Sequence, residues 1–351
     1  MKSLIALAAL LVLPLATAGQ APGVDAFFDA MAITVAPGQQ SRFVAGDNLA
    51  GYFEGYTQSY TKGQGYVTDQ AAMFRNYASF VNGRLNDRTS SSEQVLPYGH
   101  RVRYANGATE EMALLSKQKA LAITVTSARA ALLAVQPMLG NAGPRTRLGD
   151  VVVVAPAAGA LEYLAFAADR PFSVDHSLTL ASIAPTRTLT IVAAFGASAQ
   201  QAADRARRLV RADPIRAEKK AQHEALTRSY LETSDAQYNK ALNWAKAASK
   251  LFVVEQFGTG IWAGLPWFRD NWGRDSFIAL PGDRTRGHDY LAPPEYLIDF
   301  LRRTWDVLQR PDDRMERSLI QNFAAFVFQY AQREKFLGQL NSKGIGGNYN
   351  Q

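Results

Sequence analysis

The chain contains no cysteine. Disulfides, a thiolate metal site and a lipoprotein anchor are therefore excluded. Histidine is scarce: His100, His176, His223 and His288 are scattered, share no metal-ligand spacing and read as structural. No motif demands a metal or any other cofactor, so none is expected. No internal repeat is found. Long apolar runs are nearly absent too. The one at the start, Leu4 to Leu15, is shorter than the roughly 20 residues of a membrane span. Lys2 precedes it and Ala16-Thr17-Ala18 follows, a charged n-region and a small-x-small cleavage site. Residues 1–18 are thus expected to be a secretory signal peptide cleaved after Ala18. The product would be periplasmic or extracellular, with no stable membrane anchor.

What is present is ordinary for a soluble globular chain. Of 351 residues, 47% are hydrophobic and 20% charged, enough apolar content for a sizeable core and, by length, for two domains. The net charge of +7 raises the question of nucleic acid. Much of the basic excess is local, in Arg205, Arg207, Arg208, Arg211, Arg216, Lys219 and Lys220. No nucleic-acid motif accompanies it. The cluster reads as the solvated face of a connecting helix, with an anionic surface as the alternative, and no nucleic-acid partner is expected.

Along the chain, residues 19–40 read as a linker. From 41 to 196 the pattern is strand-like. Leu121, Ile123 and Val125 alternate, and Val151 to Val154 is a continuous β-branched run suited to a strand buried on both faces. Asn106-Gly107 signals a hairpin between Arg101–Tyr104 and Glu111–Leu115. Many short strands without a long helical pattern predict an all-β sandwich. Gly51 to Asp69 is rich in Tyr and Gly and suits either a sheet edge or a flexible aromatic arm reaching a ligand. Residues 197–233 read as a helical linker broken at Pro214. Beyond it, Thr233 or Ser234 is expected to cap a helix. Its apolar stripe would be Tyr238, Ala241, Leu242, Ala245, Ala248 and Phe252.

The densest chemistry lies in Gly258–Gly282. Three of the five tryptophans, Trp262, Trp267 and Trp272, fall within eleven residues, beside Phe268, Arg269, Asp270, Arg274 and Asp275. Aromatic faces cover the C–H face of a pyranose, and carboxylate and guanidinium groups hold its hydroxyls. A buried aromatic cluster with structural ion pairs is the competing reading. Pro266-Trp267-Phe268-Arg269-Asp270, Trp272-Gly273-Arg274-Asp275-Ser276 and Ile278 to Gly282 closely resemble the signature of amylo-α-1,6-glucosidase domains of glycogen debranching enzymes. More loosely, they resemble inverting α-glucosidases built on an (α/α)6 barrel.

The resemblance implies a multidomain chain. Its N-terminal all-β sandwich would be followed, over 234–351, by the start of an all-α (α/α)6-toroid-type domain. It implies a carbohydrate partner, an α-glucan or glucosyl oligosaccharide. Arg274 and Asp275 would grip the terminal glucose, and Trp267, Phe268 and Trp272 would wall its pocket. Asp275 also suits a mere helix N-terminal cap. Some relatives carry calcium. Inverting hydrolysis needs an acid and a base, roughly 6.5–9.5 Å apart. In the resembled family both lie beyond this signature. Asp270 is the weak local candidate and Glu255 a weaker one. Twelve helices need on the order of 300 residues, more than remain after 234, so an incomplete enzyme is expected. A glucan-binding protein without hydrolysis and a structural domain are the alternatives. Tyr296–Leu308 and Glu316–Leu340 read as amphipathic helices, and 341–351 as a polar end.

Overall fold

The computed structural model describes residues 21–68, 73–140, 142–157, 161–256 and 260–269. The expected signal peptide, the segments after 269, and with them Asp270, Trp272, Arg274 and Asp275 lie outside these residues.

Two antiparallel sheets pack face to face. The first has the spatial order β1 (Ile33–Val35), β7 (Ser92–Leu96), β8 (Gly99–Arg103), β9 (Thr109–Leu115), β10 (Ala120–Ala131), β17 (Thr186–Gly196), β14 (Tyr163–Ala168), β13 (Val151–Pro156) and β12 (Ala142–Leu148). The second runs β15 (Phe172–Val174), β16 (Leu180–Ser182), β11 (Leu133–Leu139), β5 (Phe74–Val81), β4 (Gly65–Val67), β3 (Tyr52–Tyr56) and β2 (Arg42–Gly46), with β6 (Arg84–Leu85) paired to β5. The period of two along each strand divides the core. Leu121, Ile123 and Val125 of β10 point between the sheets, while Ala120 and Ala122 point outward. The valine run of β13 is buried on both faces, with Val152 and Val154 in the inner core and Val151 and Val153 in the outer one. The hairpin at Asn106-Gly107 forms between β8 and β9, with Gly107 at φ +81°.

Helices cover the outer face of the first sheet as a third layer. They are α1 (Val24–Met31), α2 (Ala199–Val210) and α3 (Pro214–Thr227). Their buried side chains, Phe27, Phe28 and Met31 of α1, Ala202, Ala203 and Ala206 of α2, and Ile215 and Leu226 of α3, share one apolar cluster with that sheet. Thus residues 24–35, read as linker, form α1 and β1. In the basic stretch 205–220, Arg208, Arg211, Arg216 and Lys220 are exposed, as expected of a solvated face, whereas Arg205, Arg207 and Lys219 are half-buried. Arg207 pairs with Asp150 at 2.7 Å, and Lys219 with Glu111 at 3.1 Å. Small alanines let a helix rest close on a sheet while the long cations reach past it to acceptors at its rim.

The expected opening of an all-α toroid is overturned. Among the described residues there is no α/α toroid domain, and the architecture is a β-sandwich with four helices. Past the sandwich, the described residues form α4 (Ala236–Phe252) and a short hairpin of β18 (Val253–Val254) and β19 (Gly260–Ile261). The helix is capped by Asp235, whose carboxylate accepts from the amides of Gln237 and Tyr238, rather than by Thr233 or Ser234. Its packing face is not the apolar stripe. Tyr238 is 53% exposed, whereas Asn243, Lys246 and Ser249 are buried. Lys246 Nζ donates to the carbonyls of Ser229 and Leu226, and Trp244 Nε1 to that of Met31. An alkyl stem or indole buries as much apolar area as an alanine stripe, provided its polar tip finds an acceptor. Helical periodicity alone therefore pointed to the wrong face.

Candidate functional site

Helix α4 leads into the Trp-rich segment, and the sandwich fixes where it ends. Asn48, at φ +56° in the β2–β3 turn, donates from Nδ2 to the carbonyls of Lys250 and Val253, both at 2.8 Å. The Lys250 carbonyl also accepts from the amide of Val253 at the helix C-cap, so Asn48 adds a second donor where the last helical carbonyls run short of partners. Asn48 Oδ1 accepts from Lys250 Nζ at 3.0 Å. The Glu255 amide donates to the Leu49 carbonyl at 3.0 Å. Gly46 permits the approach, since a Cβ there would stand 2.5 Å from Leu251 Cδ1. The same turn holds Asp47, which accepts from the amides of Leu49 and Gly51 and from the Tyr66 hydroxyl at 2.6 Å. Burial pushes its carboxyl up to about 6, despite the opposing hydrogen bonds from Tyr66, Leu49 and Gly51.

The chain then crosses the outer face of the second sheet at β2, β3 and β4. Trp262 is 2% exposed, stands edge-on to Tyr52 at 6.5 Å and packs with Ala50, Val67 and Val254. Its Nε1 donates to Gln256 Oε1 at 2.8 Å. Of the three clustered tryptophans it thus follows the structural reading. A tight turn comes next, closed by two backbone hydrogen bonds between Gly264 and Phe268 of 3.0 and 2.8 Å. At its tip Trp267 is 72% exposed and Phe268 60% exposed. Both are expected sugar-binding residues, and the fold brings them together at the surface. Around them lie Arg42, whose guanidinium carbon is 4.7 Å from the Trp267 ring centroid, and Arg269, whose guanidinium carbon is 5.6 Å from that of Tyr52. Burial raises the Tyr52 phenol, Arg269 opposes this, Glu54 adds to it and Arg42 opposes it.

Two exposed rings and two guanidiniums can stack on a polyol and donate to its hydroxyls, while the buried Tyr52, whose hydroxyl donates to Gln64 Oε1 at 2.8 Å, supports them from beneath. They include no acid–base pair. Glu255 is exposed and joined to Lys117 at 2.5 Å, an ordinary surface ion pair. Among the described residues no group of three or more His, Cys, Asp or Glu can hold a metal, and no helix is long and apolar enough to cross a membrane. Over its described residues the Tyr/Gly-rich stretch is a hairpin of β3 and β4, with Tyr52 and Tyr66 buried in them, yet Tyr52 does touch the Trp-rich segment. Arg42 and Glu54 went unnoticed in the sequence, because only cross-strand pairing of β2 with β3 and the turn at Trp267 bring them to this place.

A groove of about 910 Å³ lies elsewhere, lined in part by Arg147, Asp169, Arg170, Phe172, Thr190 and Arg207. Three of its four lining guanidiniums are already used, and the fourth, Arg211, is exposed. Arg170 pairs with Asp169 at 2.7 Å, Arg207 with Asp150 and Asp204, and Arg147 donates to backbone carbonyls.

Residues 233–306 match the family described as Amylo-alpha-1,6-glucosidase. The match takes in α4 and the whole Gly258–Gly282 signature, so the resemblance read from that signature stands, and the chain is glycoside-hydrolase-like there. No curated protein sequence matches the chain. Among solved structures it is similar to a bacterial glucoamylase complexed with acarbose (14% identity, 80% of this chain, 52% of that one, TM-score 0.40). It is also similar to a family GH92 inverting mannosidase from Bacteroides thetaiotaomicron (16% identity, 51% of this chain, 30% of that one, TM-score 0.38). A GH92 alpha-mannosidase from the same organism, in complex with mannoimidazole, is 14% identical over 59% of this chain and 34% of that one, with a TM-score of 0.35. The chain spans between 30% and 52% of the length of these structures. At such TM-scores they define no shared overall fold and carry no weight for the site.

Proposed function

We propose that the protein recognises the terminal glucosyl unit of an α-glucan or glucosyl oligosaccharide, as an exported, inverting glycoside hydrolase of α-glucosidase or debranching type. The observation that carries this reading is the exposed Trp267–Phe268 pair, inside the segment that matches the Amylo-alpha-1,6-glucosidase family. Two adjacent large aromatics held out of a well-packed surface gain by covering an apolar partner, and the C–H face of a pyranose is such a partner. Arg269 stands beside them to donate to hydroxyls, and Trp272, Arg274 and Asp275 follow in the same signature. The reading assigns sugar recognition to these residues and assigns the acid and base to none of them.

Calorimetric titration of maltotriose and isomaltotriose into the full chain and into Trp267→Ala tests it. Loss of one stacking face is expected to weaken binding about tenfold, for about 1.4 kcal/mol. Equal affinity for both proteins would remove the Trp267 platform from the reading. If hydrolysis occurs, proton NMR of the first product reads the stereochemistry. A β-anomer released from an α-linked substrate supports inversion and an α-anomer refutes it. Binding without hydrolysis would leave a glucan-binding protein. Export is read by N-terminal sequencing of the secreted product, expected to begin at Gly19.

A further inference from the structure

The outward face of β2 and β3 places a charged pair directly behind the exposed indole. Arg42 of β2 is diagonal to Glu54 of β3 in the antiparallel register, since Arg42 opposes Tyr56 and Val44 opposes Glu54. The two meet at 2.6 Å, Nε to Oε1. The carboxylate is buried, with its side chain 6% exposed, while that of Arg42 is 31% exposed. Glu54 Oε2 has no hydrogen-bond partner among the described residues. This is therefore not an ordinary surface ion pair free to open. Swinging Arg42 away would strand a buried carboxylate, which costs far more than breaking an exposed pair. With its Nε committed to Glu54, the guanidinium is held over the indole, its carbon 4.7 Å from the Trp267 ring centroid.

We propose that Arg42, locked by Glu54, is a positioning residue of the sugar site. It covers one face of the Trp267 indole and holds the other face open as the stacking surface. A β-sandwich residue then fixes the geometry of a ring that belongs to the glycosidase-like segment, and the sandwich is part of the binding site. An indole on an exposed turn would otherwise sample several rotamers and lose that freedom when ligand binds. A guanidinium stacked on it removes that cost beforehand. Lysine cannot replace it, because its ammonium offers no flat face and no second nitrogen to keep the pair with Glu54 while covering the ring. The sugar part of the proposal rests on the proposed glucan recognition; the positioning part does not.

The test uses Arg42→Lys and Arg42→Met/Glu54→Gln, the second of which removes the guanidinium without leaving a buried charge unpaired. Each is made with Trp267 intact, with Trp267→Phe and with Trp267→Ala, and the difference between the first two isolates the fluorescence of Trp267 from the other tryptophans. Acrylamide quenching of that difference signal is expected to rise about twofold in both backgrounds, as the covered face of the ring opens. Maltotriose affinity is expected to fall about 2- to 5-fold, the worth of one partly exposed cation–π contact, with no further loss when Trp267 is already alanine. Unchanged quenching overturns the positioning role whatever the affinities are. An equal loss of affinity with and without Trp267 also overturns it, since Arg42 would then act independently of the ring. Raised quenching with no maltotriose binding by the unsubstituted chain keeps Arg42 as the holder of Trp267 and overturns the sugar reading alone.

Discussion

The attachment of the Trp-rich segment to the sandwich hangs on Asn48, and its replacement offers a quantitative test. Asn48 is buried, stands at φ +56° and donates at 2.8 Å to each of two carbonyls at the end of α4. In Asn48→Ala both donations vanish, each worth about 1 kcal/mol net. The left-handed backbone adds about 1 kcal/mol for a residue with a Cβ and no local hydrogen bond to offset it. The expected loss is about 3 kcal/mol. Asn48→Gly relieves the backbone but not the carbonyls, so about 2 kcal/mol is expected. Asn48→Asp keeps the backbone preference and a partner for Lys250, but turns a carboxylate toward two carbonyl oxygens, and should be no better than glycine. Urea unfolding followed by tryptophan emission reads all three, because Trp262 is buried against the segment that Asn48 secures. Unfolding should begin at lower urea for the Trp262 signal than for the far-UV signal of the sheets. A loss below about 0.5 kcal/mol for Asn48→Ala, within the range of neutral surface changes, would refute the pinning argument. Equal losses for Ala and Gly would refute its backbone part.

Asp47 predicts a pH dependence of definite sign. Its folded pKa is raised to about 6 from an ordinary 3.8, so the folded state holds the proton more tightly than the unfolded chain. The stability it contributes is complete below about pH 4 and lost as pH rises through about 6, amounting to about 3 kcal/mol. The stability difference between the natural chain and Asp47→Asn, followed by denaturation from about pH 4 to 7, should change by that amount; a constant difference would exclude the effect. Inside the sandwich, Arg88 donates to Glu110 at 2.6 Å, and both are almost fully buried. Arg88→Met should cost about 3–5 kcal/mol by stranding the carboxylate, and Arg88→Met/Glu110→Leu should recover most of it. A double variant as unstable as the single one would show that charge burial is not the cause.

How much of this was legible beforehand depended on the range of the interaction. The alternation of Leu121, Ile123 and Val125 and the doubly buried run Val151–Val154 identified strands of a covered sheet, because a strand's two faces are written in adjacent residues. Asn106-Gly107 marked its hairpin for the same local reason. The stripe of α4 misled, because helical periodicity counts apolar residue types, whereas Lys246 and Trp244 bury their stems and satisfy their tips on carbonyls from distant parts of the chain. The basic stretch of α2 and α3 keeps Arg208, Arg211, Arg216 and Lys220 exposed, as a solvated face should, while Arg207 and Lys219 find acceptors far away in sequence that no local pattern announces.

The site divides along the same line. By itself the sequence determined the chemical character of Gly258–Gly282, its family resemblance and, through that resemblance, the expectation that Trp267 and Phe268 face a sugar. The tertiary structure alone decided that Trp262 is a core residue while Trp267 is exposed, and that Arg42 and Glu54 stand behind the exposed ring. The physical reason is that covalent order fixes which groups a segment carries. Burial and a partner's position come from sheet pairing and packing between residues hundreds of positions apart, and no local pattern encodes them.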